Sequence, residues 1–241
     1  MDQIKILTAR RAYEFRPDDL RLTMLSVQQV QELIKQSSSF QIAAIGGPMP
    51  TFGPVPPTIP PGLVFNFGAW MPSEDQLVPI RFLHIEPRRI VIDVAGPSSA
   101  IDAIFARLRD IVAPLAAPDG TPAIGAYTQV LDYSEITAYF PFAWEALFAP
   151  PVRDVFARAM HTGEDQRELV LAPTLYMQAR DAHAESAGGI GTPDSRTLQF
   201  APRAGTKPEE RVYFSGVPLD SDAHLTYLEK LEAALLNLRK S

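Results

Sequence analysis

Residues 89–112 read RIVIDVAGPSSAIDAIFARLRDIV, and this run decides the fold. Arg89–Val94 is a β-branched run of strand length, broken at Gly96–Pro97 before Ser98–Ser99 opens a helix through about Val112. Ile101, Ile104, Phe105, Leu108, Ile111 and Val112 fall on one face of that helix, a stripe that must be buried against another layer. Ser99 with Asp102 three residues on has the form of a weak capping box. Residues 211–235, RVYFSGVPLDSDAHLTYLEKLEAAL, repeat the pattern of an arginine, a strand, a Gly/Pro turn, a Ser/Asp cap and an amphipathic helix. The repeat predicts two similar halves, 1–115 and 123–241, joined at PLAAPDGTP (114–122) as two units or as one continuous domain.

Outward from these runs the same alternation continues. Ile4–Ala9 and Arg11–Phe15 read as short strands, Pro17–Asp19 as a turn, and Ser26 as the cap of a helix to about Gln36 with Val27, Val30, Leu33 and Ile34 on one face. Phe40–Ile45, Leu63–Trp70 and Leu77–Ile85 read as strands, with MPSEDQ (71–76) as a turn, and their short connections predict an antiparallel meander. Ile124–Tyr139 is one bent strand or two. Pro151 starts a helix to about Met160; Leu169–Ala179, Thr197–Ala201 and Arg211–Val217 are further strands. Asp220–Ser221–Asp222 caps a last helix with Leu225, Leu228, Leu231, Leu235 and Leu238 at helical spacing. The expected class is α+β, with antiparallel meanders backed by helices 26–36, 97–112 and 221–238.

One segment interrupts this order. Gly46–Gly62, GGPMPTFGPVPPTIPPG, places seven prolines among 17 residues between two apolar stretches. Proline lacks the N–H that helices and inner strands need, so neither runs through here. Pro54–Pro57 and Pro57–Pro60 fit the P-x-x-P spacing of polyproline II segments read by aromatic grooves. The apolar residues Met49, Phe52, Val55 and Ile59 interleave with them, and with Pro57 they form the candidate binding set, packing on a partner or on this chain.

Composition bounds the function. The 241 residues are 46% hydrophobic and 21% charged, those of an ordinary globular chain. There is no cysteine, which excludes disulfides, thiolate nucleophiles and cysteine-held metals. No signal peptide and no run of membrane-spanning length is seen, so the cytoplasm is the expected compartment. The net charge is −6, with 11 Lys and Arg against 12 Asp and Glu in residues 1–120, and 11 against 16 in the remainder. Arg10, Arg11, Arg16 and Arg21 are the one basic cluster, interleaved with Glu14, Asp18 and Asp19 and read as a solvated face, so nucleic acid is not an expected partner. Seventeen arginines to five lysines, with abundant alanine and proline, suggest a GC-rich bacterial source.

The order of elements from Gly62 onward resembles a sporadically distributed family of uncharacterised bacterial proteins of about this size. The pieces that carry the resemblance are Arg89–Val94 with its helix, Tyr127–Tyr139 and Val212–Leu238. Gln129–Val130–Leu131–Asp132–Tyr133 stands where the family's long strand often has Arg–Tyr–Ile–Asn. The resemblance covers about two thirds of the chain, in pattern rather than motif, and implies a fold without an activity.

Catalytic signatures are sparse. His84-x-Glu86 and His183-x-Glu185 each set an imidazole and a carboxylate on one side of a strand, short of the three or four ligands of a metal site. His224, in the first turn of the last helix, reads as solvent-exposed. Asp93, Asp132 and Glu135 are carboxylates on strands, candidates for acid–base work but more simply solvated. Ser98–Ser99 reads as a helix cap rather than an anion site. Gly188–Thr192 lacks the ending of a phosphate loop, and no Gly-x-Ser-x-Gly elbow occurs. Trp144, Leu147 and Phe148 read as core. The missing motifs favour a non-catalytic binding or assembly protein that engages another chain or a second copy through the proline segment, with no cofactor. The competing reading is an Asp/Glu/His hydrolase with that segment as a lid.

Overall fold

The computed structural model describes residues 1–45, 62–73, 76–144, 175–178 and 197–238. Among these residues nine strands form one sheet: β1 (Asp2–Phe15), β2 (Ile42–Ile45), β3 (Leu63–Ser73), β4 (Gln76–Glu86), β5 (Arg89–Val94), β6 (Tyr127–Tyr139), β7 (Leu175–Gln178), β8 (Thr197–Pro202) and β9 (Val212–Val217). Their order is β2-β3-β4-β5-β1-β6-β9-β8-β7, and every pairing is antiparallel. The helices are α1 (Leu22–Leu25), α2 (Gln28–Ser37), α3 (Ser98–Val112) and α4 (Ser221–Leu238). The class is therefore mainly β with some helix, in meanders as the short connections require.

Helix α3 packs on β1 and β5, and α4 packs on β6. Two cores result. In the first, Ile90, Ile92 and Val94 of β5 and Leu83 and Ile85 of β4 meet Ile101, Ile104 and Leu108 of α3. Tyr13 of β1 stacks on Phe105 of α3 at 3.8 Å. In the second, Phe140, Phe142, Trp144, Phe200 and Tyr213 form an aromatic cluster against Leu228 of α4. Trp144 is core, as its sequence context indicates; Leu147 and Phe148 lie outside the described residues.

Several sequence expectations are corrected. β1 is one continuous strand of 14 residues, because it is the centre of the sheet and pairs on both edges. Ser26 ends α1, its hydroxyl donating to the Leu22 carbonyl at 2.7 Å, and α2 starts instead from an extended Val27. Val27 and Leu33 are about half exposed, at 48% and 53%; only Val30 and Ile34 face inward. β3 and β4 run on through most of the expected turn at 71–76. No capping box forms in α3: its cap is Pro97, and Asp102 instead receives bonds from Arg11 and Tyr13.

Read outward from the centre, β1-β5-β4-β3 on one side matches β6-β9-β8-β7 on the other. Ala9 pairs with Val94, Ser134 pairs with Val217, and Ala9 and Ser134 pair with each other. Four residues beyond Val94 and Val217 stand Ser98 and Ser221, the first residues of α3 and α4. Their contact is reciprocal. The Ser98 amide donates to Ser221 Oγ at 3.1 Å, the Ser221 amide donates to Ser98 Oγ at 2.9 Å, and the two hydroxyls lie 2.8 Å apart. Each helix thus caps the other at a buried point where water cannot substitute. Ser98→Ala and Ser221→Ala should each cost about 1–2 kcal/mol, with the double variant falling short of the sum because the two share one contact. Denaturant melts of the four proteins check this.

Candidate functional site

The candidate binding residues Met49, Phe52, Val55, Pro57 and Ile59 lie outside the described residues, as do His161, the His183–Glu185 pair and Gly188–Thr192. The two ends of the proline segment are described. Ile45 and Leu63 are register partners at the β2–β3 edge, so residues 46–62 leave and rejoin the sheet at one place. Gly62 packs tightly there: a Cβ would sit 2.4 Å from the Ile85 carbonyl oxygen and 3.0 Å from His84 Nε2.

Farther along β3 the chain does something its composition does not require. Phe67 has a left-handed backbone, φ 56°, which a bulky side chain adopts only under strain. Before it, Leu63 and Phe65 are buried in the helix-side core; after it, Trp70 packs on that core and a Cβ on Gly68 would lie 2.5 Å from the Phe40 ring. The kink has shifted the strand's alternation by one residue. β4 answers with an irregularity of its own between Ile80 and Phe82, so the hairpin stays paired. Phe67 is consequently turned outward, 60% exposed, with Met71 and Leu77 each 59% exposed farther along the β3–β4 arm.

The face of the sheet centre opposite α3 carries charge. Asp93 is fully buried rather than solvated: Arg10 Nε donates to it at 2.8 Å and Thr8 Oγ1 at 3.1 Å, with Arg81 Nε 3.8 Å away. Arg10 also lies over the Phe82 ring. A second group joins Glu14, Arg89, Glu86 and His84, with Arg89–Glu14 at 3.2 Å and His84 Nδ1 3.3 Å from Glu86 Oε1. The spacing of His84 and Glu86 does place them side by side. Burial first, and Arg89 second, hold His84 below its ordinary range, while burial pushes Glu86 up against the pull of Arg89. In both cases burial disfavours the charged form.

The basic cluster of the sequence is dispersed by the pleat. Arg10 meets Asp93 on one face; Arg11 bonds Asp132 at 2.6 Å and also meets Asp102 of α3; Arg21 bonds Thr121 at 2.9 Å. Three of the four arginines thus serve internal contacts. Asp132, read as solvated, is held by Arg11, and burial raises its proton affinity. Glu135 receives the Tyr133 hydroxyl at 3.3 Å.

His224 overturns its reading as an exposed residue most completely. It is fully buried, with Nδ1 2.8 Å from Ser134 Oγ and Nε2 2.9 Å from Ser215 Oγ. Ser134 donates its single hydroxyl proton to the Leu219 carbonyl at 2.8 Å. It must then accept from Nδ1–H, and burial disfavours a second ring proton, so Nε2 accepts from Ser215. Ser134, His224 and Ser215 are all buried, at 0–1% exposure, so the Ser–His pair is not presented to a substrate. The signal missed in the sequence was the small polar residues Ser134 and Ser215 on inward strand positions.

Among the described residues no group of three metal-binding side chains gathers, and no helix is long and apolar enough to cross a membrane. Comparison with known protein families, curated proteins and solved structures found no match to this chain.

Proposed function

We propose that this is a non-catalytic assembly protein whose occupant is a second copy of the chain, docked on the β3–β4 arm where Phe67, Met71 and Leu77 are exposed. The observation that carries this reading is Phe67, held outward by a strained backbone with Met71 and Leu77 on the same arm. Strain persists where the surrounding structure enforces it, and an exposed aromatic gains most from association. An isologous contact sets apolar residues against apolar residues. Residues 1–120 are nearly neutral, with 11 basic against 12 acidic side chains, so two copies meeting there face little repulsion. The proline segment, with Met49, Phe52, Val55, Pro57 and Ile59, extends the contact in this reading. The halves 1–115 and 123–241 are read as similar units fused about the Ala9–Ser134 pair, supported by the matched strand order and the reciprocal serines.

Phe67→Gly separates binding from stability. Glycine tolerates positive φ, so relief of about 1 kcal/mol should leave the melting temperature unchanged or raised. Light scattering should show an assembled wild type and a monomeric variant. Deleting residues 48–60 across the close Ile45–Leu63 ends, with a short Gly/Ser linker, should likewise keep the fold and weaken assembly. A wild type that is monomeric at every concentration overturns the reading.

The Asp/Glu/His hydrolase is the second reading, favoured by the gathering of His84, Glu86 and Glu14 around Arg89. It is the weaker because Arg89 engages both carboxylates and His84 Nε2 is buried against Gly62.

A further inference from the structure

The two sides of the sheet centre differ at three equivalent, fully enclosed positions. Ala9, Ile92 and Ile101 fill the place on the β1–β5–α3 side that Ser134, Ser215 and His224 fill on the β6–β9–α4 side. One half is sealed by hydrocarbon and the other by a hydrogen-bonded imidazole. We propose that the Ser134–His224–Ser215 chain is an acid-sensitive latch: a proton taken up at His224 loosens α4 from β6 and β9 while α3 keeps its hold on β1 and β5.

Geometry supplies the reasons. From β6 the ring faces Ser134, itself tied to the Leu219 carbonyl, and from β9 it faces Ser215. On its own helix Tyr227 lies 6.4 Å away, and Asp220 is engaged as the cap, accepting from the Asp222 and Ala223 amides at 2.9 Å. Among the described residues no carboxylate stands within ion-pair distance of His224, so an imidazolium has no counter-charge. It would also sit in the first turn of α4, at the positive end of the helix dipole and beside the equally positive start of α3. A second N–H would force Ser215 to reverse its hydroxyl and leave that proton seeking an acceptor.

Burial accordingly lowers the His224 pKa from 6.5 to about 4. The released form binds the proton near 6.5 and the docked form near 4, so the latch is intact above about pH 6.5. It weakens about tenfold per pH unit through that window and stops weakening below the docked value.

The test follows amide hydrogen exchange in the wild type and in a Ser134→Ala/Ser215→Ile/His224→Ile variant that copies the apolar trio, at pH 7 and pH 4.5. In the wild type, protection of α4 and β9 amides should fall by about 100-fold, while the body of α3 beyond its Ser98 cap, on the face opposite His84, keeps its protection. The variant should lose this contrast. An NMR titration of His224 in the wild type decides the matter even if the variant does not fold. A docked His224 that titrates at its ordinary value, or protection that falls equally in α3 and α4, overturns the latch.

Discussion

A chain carrying aspartate at both Leu228 and Leu231 should fail to fold at neutral pH. Leu228 is buried in the second core against the aromatic cluster, and Leu231 packs on the same core from the next turn of α4. Losing a buried leucine costs about 2–5 kcal/mol, and placing an unpaired carboxylate there adds several more. Two such changes consume the roughly 5–15 kcal/mol that holds a typical domain together. The loss should include the cap of α3, because the Ser98 amide donates to Ser221. Circular dichroism would show it as lost cooperative melting. A variant that melts as the wild type does would mean that α4 is not docked on β6.

Tyr213→Ala should be the most damaging single truncation in the aromatic cluster. Its ring stacks on Phe200 at 5.3 Å and meets Phe140, Phe142 and Trp144 at 5.4–5.6 Å. Its hydroxyl donates to the Phe142 carbonyl at 2.8 Å, pinning the turn that follows β6. Truncation leaves a cavity among four rings, so about 4 kcal/mol is expected. Tyr213→Phe keeps the ring and gives up one bond, for about 1 kcal/mol. Denaturant midpoints of the two variants separate packing from hydrogen bonding. Equal losses would show that the hydroxyl, not the ring, organises this core.

What the sequence disclosed follows from which forces act locally. Helices α3 and α4 were readable because their apolar stripes have helical period, and β5 because its hydrophobic run ends at Gly96–Pro97. The Asp220 cap was readable because capping is a contact within three residues, and it forms as expected. Polar residues were misjudged wherever their partners are distant in sequence. His224 needs Ser134, and Asp93 needs Arg10 and Thr8, pairings set by strand register. Ser98 was read as a local cap, yet its partner is Ser221. Phe67 lies in Leu63–Trp70, which was read simply as a strand. Nothing in Leu63–Trp70 announces the kink, which is fixed by pairing with β4 and by the close fit of Gly68 on Phe40. Of the candidate binding set, the sequence indicates composition and the described structure gives only where its ends meet.

The central position of β1 has a consequence for the chain as it is made. Residue 9 leaves the ribosome well before its partners, residues 94 and 134. At roughly 5–20 residues per second the second neighbour arrives on the order of ten seconds later. Throughout that interval the nascent β1 has at least one bare edge and the alternating apolar pattern that invites pairing with a neighbouring polysome product. Asp2, Lys5, Arg10, Arg11 and Glu14 lie along it, and charges on an open edge discourage such encounters. Arg10, Arg11 and Glu14 later become the internal ion pairs of the finished sheet. Those side chains therefore act twice, first as gatekeepers of an unfinished strand and then as fastenings of the completed one.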